Sequence, residues 1–128
     1  MKRNWDIIRE ILLKAEELNP ECTLILSDFD EDRAHEIVYH VKLLDESGLI
    51  KVSIVEFLGD ANIHFDLDRL TWAGHDFLDA VRNDSMWNKT KEMITDKGGA
   101  MTLELIKSFA ISLAKTALGI SSVGWVRH

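Results

Sequence analysis

With 128 residues, 46% of them hydrophobic, the chain is long enough to bury one core without disulfides or a structural metal. Its single cysteine, Cys22, excludes an intrachain disulfide and a thiolate metal cluster. The formal charge of -7 is unevenly placed: residues 28–47 carry seven acids and two bases and residues 51–84 seven acids and three bases, whereas residues 85–128 carry six bases against three acids, so a polyanion would meet the C-terminal third first.

No apolar run follows Met1-Lys2-Arg3, because Asp6, Arg9 and Glu10 interrupt it; a signal peptide is not expected and a cytoplasmic location is. From Asn4 to Leu18, apolar residues at Trp5, Ile8, Ile11, Leu12, Ala15 and Leu18 recur at three- and four-residue steps, the stripe of an amphipathic helix. Asn4 suits its N-cap and Asn19-Pro20 its stop. Thr23 to Leu26 is short, apolar and partly β-branched, a small strand bounded by the acidic loop at 27–30. Glu31 to Ser47 presents Ala34, Ile37, Val38, Val41 and Leu44 on one helical face. Gly48 then predicts a Schellman turn that brings Leu49 against Leu44.

Ile50 to Phe57 and the alternating Ile63, Phe65 and Leu67 form a hairpin across the loop at 58–62. Thr71 can cap the next helix, whose Ala73, Phe77, Leu78 and Val81 are expected to face inward. Asn83-Asp84-Ser85 predicts a break before a helix carrying Met86, Trp87, Met93 and Ile94, and Gly98-Gly99 predicts another. The segment from Thr102 to Leu118 is apolar over more than one face and needs burial on most sides. Helix, short strand, helix, hairpin and helices together predict an α+β fold, a winged helix over residues 1–84. A helical extension at 85–120 and a tail at 121–128 complete the chain.

The residues that could carry chemistry give no catalytic constellation. His35 and His40 stand five apart, which turns them about 140° from one another on a helix, so a zinc-protease pair is excluded and a surface His35 with a partly packed His40 is expected. His64, Asp66 and Asp68 share one side of a strand, which the solvent face of a hairpin explains without a metal. There is no phosphate loop and no nucleophile elbow; neither enzymatic activity nor a cofactor is expected.

In winged helices that bind DNA, the helix before the wing enters the major groove. Here that helix is acidic, which disfavours nucleic acid. Glu31, Asp32, Glu36 and Tyr39, with Asp60 and Asn62 of the wing tip, are instead the candidate surface for an unknown protein partner. The alternative is a DNA-binding regulator whose Lys89, Lys91 and Lys97 supply the phosphate contacts. Leu105, Ile106, Phe109 and Leu113 are the candidate seam of a homodimer, and Glu104, Lys107 and Lys115 interrupt that helix too often for a membrane span. Trp5, Trp72 and Trp87 are expected in the core, while Trp125 in the tail has no periodic context.

Trp5-Asp6-x-Ile8-Arg9-x-Ile11-Leu12, Tyr39-His40-x-x-Leu43-Leu44-x-x-x-Gly48-Leu49-Ile50, Leu70-Thr71-Trp72-x-Gly74-His75-x-Phe77-Leu78-Asp79 and Trp87-Asn88 together resemble the bacterial domain-of-unknown-function family 2513, over roughly residues 1–118. The resemblance implies small proteins often met in prophages and mobile elements, with no catalytic residues to carry over. The same segments also resemble bacterial winged-helix regulators, with one departure. Between Pro20 and Asp30 there is hardly room for the separate second helix of a helix-turn-helix.

Overall fold

The computed structural model describes residues 1–56, 63–98 and 100–119. Asn4 opens helix α1 (Trp5–Glu16): its side-chain oxygen accepts the N–H groups of Asp6 and Ile7 at 2.9 and 3.4 Å, two of the amides that a helix start leaves unbonded. Ile7, Ile8, Ile11, Leu12 and Ala15 are buried, so the periodic stripe is the core face. Trp5 is half-buried beside Phe77, with ring centroids 5.9 Å apart.

Strand β1 (Leu24–Ile25) is shorter than its sequence suggests. The chain leaves it through a 3-10 turn at Leu26–Asp28, and the Asp28 carboxylate accepts the Ile25 N–H at 2.9 Å, tying the turn to the strand end. A second 3-10 turn, Glu31–Arg33, leads into α2 (Ala34–Ser47). Ile37, His40, Val41 and Leu44 form its buried face.

Gly48, at φ 76°, takes the left-handed conformation that a side chain resists. Its N–H donates to Asp45 O at 3.1 Å and that of Leu49 donates to Leu44 O at 3.3 Å, which is the Schellman pattern. The chain then enters β2 (Ile50–Glu56), which pairs antiparallel with β3 (Ile63–Leu70); β3 also pairs antiparallel with β1, giving the order β1-β3-β2. Lys51 stands opposite Arg69 but Val52 opposite Leu67, so Asp68 is bulged out. The bulge lets Leu70 turn inward three residues after Leu67, breaking the strict alternation.

Thr71 caps helix α3 (Trp72–Val81), its hydroxyl oxygen accepting the Gly74 N–H at 3.1 Å. Phe77, Leu78 and Val81 are buried as expected, but Ala73 is exposed and Gly74 is buried in its place. Trp72, expected in the core, is 83% exposed. At about 100° per residue it lies nearly opposite the face defined by Gly74, Phe77, Leu78 and Val81. Helix α4 (Asp84–Asp96) follows the break at 82–83, with the Asn83 side chain accepting the Met86 N–H at 3.0 Å. Trp87, Thr90 and Ile94 are buried, and the Thr90 hydroxyl donates to Met86 O at 2.9 Å. Gly98 turns the chain at φ 71°, Gly99 lies outside the described residues, and Thr102 caps α5 (Leu103–Ala117).

The described residues thus form an α+β fold of five α-helices and a three-stranded antiparallel sheet. The chain divides into two compact units, Met1–Leu78 and Asp79–His128. In the first, α1 and α2 pack together and against the sheet; in the second, α4 packs on α5. No described helix is long and apolar enough to cross a membrane.

Two glycines set contrasting limits. A Cβ on Gly74 would lie 2.0 Å from the Leu49 carbonyl oxygen, whereas one on Gly48 would meet nothing within 4 Å and suffers only its positive φ. Urea unfolding should show Gly74→Ala destabilised by about 3 kcal/mol or more and Gly48→Ala by about 1–2 kcal/mol. Equal losses would contradict the close approach.

Candidate functional site

The surface of α2 and of the turn before it carries the candidate partner residues of the first unit. Glu31 and Asp32 are exposed on the 3-10 turn, and Tyr39 is exposed and edge-on to the His40 ring, with centroids 5.5 Å apart. Glu36 is half-buried rather than presented outward, because Arg33 Nε donates to its Oε1 at 2.9 Å. The same guanidinium reaches across to α1. Its Nη1 and Nη2 donate to Glu10 Oε2 and Oε1 at 2.8 and 2.7 Å, the bidentate fork that matches a carboxylate in both distance and plane.

This hydrogen-bonded pairing with Arg33 holds the Glu10 carboxyl below the usual carboxylate range, and Glu10 in turn holds the guanidinium above its own. Lys42 pairs with Glu56 on β2. Both basic side chains of α2 and its leading turn are therefore engaged by acids. Asp45 and Glu46, by contrast, stand exposed at the far end of the helix. Asp60 and Asn62 lie outside the described residues.

His40 is not at the surface. It is buried; its Nδ1 donates to the Glu36 carbonyl at 2.7 Å while its Nε2 accepts the Asn4 N–H at 2.8 Å. This ring is a neutral tautomer that fastens the α1 cap to α2, with neither nitrogen available to a metal. His35 is exposed, as are His64, Asp66 and Asp68; Asp66 accepts the Thr23 hydroxyl at 3.5 Å. No three of the described His, Cys, Asp and Glu residues are grouped to hold a metal ion.

Two adjoining cavities, of about 580 and 490 Å³, flank the N-terminal half of α2 and share Leu26, Ala34 and His64 in their walls. The larger runs past Phe29 and Phe65, with Asp30, Glu31 and Asp66 on its rim. Nothing periodic in the sequence marks this groove. It forms where the segment from Pro20 to Asp30 supplies only β1 and a 3-10 turn.

In the second unit, Lys89 and Lys97 are exposed, Lys91 is half-buried with its ammonium 5.4 Å from the Trp87 ring, and Lys97 lies 5.9 Å from that of Phe109. Of the candidate seam, Leu105 is exposed, while Phe109 and Leu113 are half-buried. Ile106 is fully buried within the chain, which removes it from any surface a second copy could touch. Ile111 and Leu118, which that set omitted, are exposed. Trp125 lies outside the described residues.

The Glu10–Arg33 pair yields a pH signature. Because the folded Glu10 carboxyl titrates below its unfolded value of about 4.3, its contribution is complete at neutral pH and is lost as pH falls through the folded value. The two side chains are 34% and 29% exposed, so the surface-pair range applies. Arg33→Met should cost about 1 kcal/mol at pH 7 in urea unfolding, a difference that shrinks as the pH falls below the unfolded carboxyl value and through the lowered folded one. A pH-independent loss would show that packing of the arginine stem dominates instead.

A family pattern described as a hypothetical protein, DUF2513, matches residues 2–100, and thus spans the first unit, α4 and the turn after it. An uncharacterized protein of Haemophilus influenzae is 39% identical over 119 residues, covering 92% of this chain and 99% of its own length. No solved structure matches the chain. On the family match and the near end-to-end identity to this relative, the chain belongs to the hypothetical-protein family DUF2513.

Proposed function

We propose that the protein is a non-enzymatic winged-helix interaction module that acts by docking another protein on the acidic surface of α2. The order α1, β1, α2, β2, β3 and the sheet order β1-β3-β2 support the winged-helix reading. The observation that carries the functional reading is electrostatic. In the position where DNA-binding winged helices place a reading helix, Glu31, Asp32, Asp45 and Glu46 are exposed while Arg33 and Lys42 are held by Glu10, Glu36 and Glu56. Such a face repels phosphate and attracts a basic protein surface.

Two copies of the chain are part of this reading. Helix α5 buries Ile106 and Ala110 but leaves Leu105 and Ile111 exposed, with Leu118 exposed at its C-cap, and pairing of two such helices would cover apolar surface that the described chain does not. The competing reading, a DNA-binding regulator, rests on Lys89 and Lys97 of the second unit, each contributed twice by a dimer.

Anisotropy titration with a random duplex separates the two readings: no binding is expected below about 100 µM at 50 mM salt, and a steeply salt-dependent affinity would favour the regulator. Affinity capture from a bacterial lysate at physiological salt should recover one protein with the wild type and lose it with the Glu31→Lys/Asp32→Lys variant; recovery insensitive to that reversal counts against the acidic face. Light scattering should give twice the chain mass, reduced to one by Leu105→Asp, and a monomeric wild type would remove the dimer.

A further inference from the structure

The groove beside α2 lies against a strand that continues past its neighbour. β1 covers β3 only at Leu67 and Asp66, through the pairs Leu24–Leu67 and Ile25–Asp66, and then turns away at Leu26. β3 runs on through Phe65 and His64 to Ile63, where it is flanked on the other side by Ile54, Val55 and Glu56 of β2. Among the described residues, no strand stands beside that stretch on the β1 side. A strand edge of this kind is a template for another extended chain.

The two adjoining cavities open along the same edge, floored by Leu26, Phe29, Ala34 and Val38. Their combined size is that of a cleft able to take several side chains. The rim of the larger is acidic, with Asp30, Glu31 and Asp66, and no lysine or arginine lines it; the smaller has His35 and Lys42 in its wall, Lys42 being paired with Glu56.

We propose that this groove binds an extended, basic segment of a partner protein, which adds to the sheet antiparallel to β3 in the line that β1 abandons. The inference rests on the protein-docking reading and deepens it by naming the mode and the partner's chemistry. Main-chain hydrogen bonds to the β3 edge supply affinity, and the two-residue alternation of a strand supplies selectivity: apolar side chains enter over Leu26, Phe29 and Ala34 while lysine or arginine meets the acidic rim. A helical ligand would satisfy the groove but leave the edge unused. A nucleic acid would meet the rim as like charge.

Selection from a displayed library of random dodecapeptides, with the whole chain as bait, tests the proposal. Recovered sequences should alternate apolar and other residues and be enriched in lysine and arginine. A recovered peptide synthesised with a fluorophore should bind at least tenfold more weakly to Ala34→Gln, which narrows both cavities, and to the Asp30→Asn/Glu31→Gln variant. Both variants should keep the wild-type thermal midpoint within a few degrees.

Methylating alternate backbone amides distinguishes strand addition from attraction by charge alone: methylation along one edge of the peptide should abolish binding and methylation along the other should not. Recovery of no peptide, of acidic peptides, or of peptides with helical spacing whose binding survives both methylations would overturn the proposal. If the partner captured by wild type is still captured by Ala34→Gln, the groove is refuted while the acidic-face reading stands; if only duplex DNA is bound, both fall.

Discussion

The architecture of the first unit depends on one backbone junction, centred on the Leu49 carbonyl. That oxygen accepts the Thr71 N–H at 3.0 Å and has Gly74 pressed against it so closely that no side chain fits between. The Thr71 hydroxyl donates to the Gly48 carbonyl at 2.6 Å and accepts the Gly74 N–H at 3.1 Å. The end of α2, both feet of the hairpin, where Ile50 faces Leu70, and the start of α3 are therefore fixed relative to one another by a few polar contacts over a buried leucine. The runs Gly48-Leu49-Ile50 and Leu70-Thr71-Trp72-Ala73-Gly74, separated by the whole hairpin in sequence, are two halves of a single joint. Each residue type follows from it: glycine for a positive φ, threonine for a hydroxyl that both donates and accepts, and a second glycine for close approach.

How much of this was legible in the sequence depends on the range over which each signal acts. Asn4 and Thr71 declare helix starts because a cap bonds within three residues of itself, and Gly48 declares the α2 exit for the same local reason. Trp72 misled because it is apolar yet its phase sets it opposite the packed side of α3. Ala73 misled in the same way, and Gly74, with no side chain to suggest packing, is the residue that the contact requires.

The candidate site shows the limit more sharply. That α2 is acidic follows from composition alone. That its arginine is fastened to Glu10, 23 positions earlier on another helix, does not, since no periodicity links the two. Likewise partial packing of His40 could be anticipated, but not its full burial or its bond to the Asn4 amide, which is 36 residues distant. The groove was invisible for a different reason: it records what the segment between Pro20 and Asp30 fails to fill, and an absence leaves no pattern of residues. Fold was thus readable where side chains act on their own neighbourhood, and function was not, because it lies in pairings between distant elements.

The joint at Leu49 also closes the hairpin at its base, and closure there has an evolutionary consequence. Once both feet are pinned, lengthening the connection between them costs only the slow logarithmic entropy of a longer loop, about 0.6 kcal/mol per doubling. The joint itself therefore tolerates hairpins of different length, and what ties the strands to the rest of the unit is their own contacts: Phe65 and Leu67 buried in the core and Glu56 paired with Lys42 of α2.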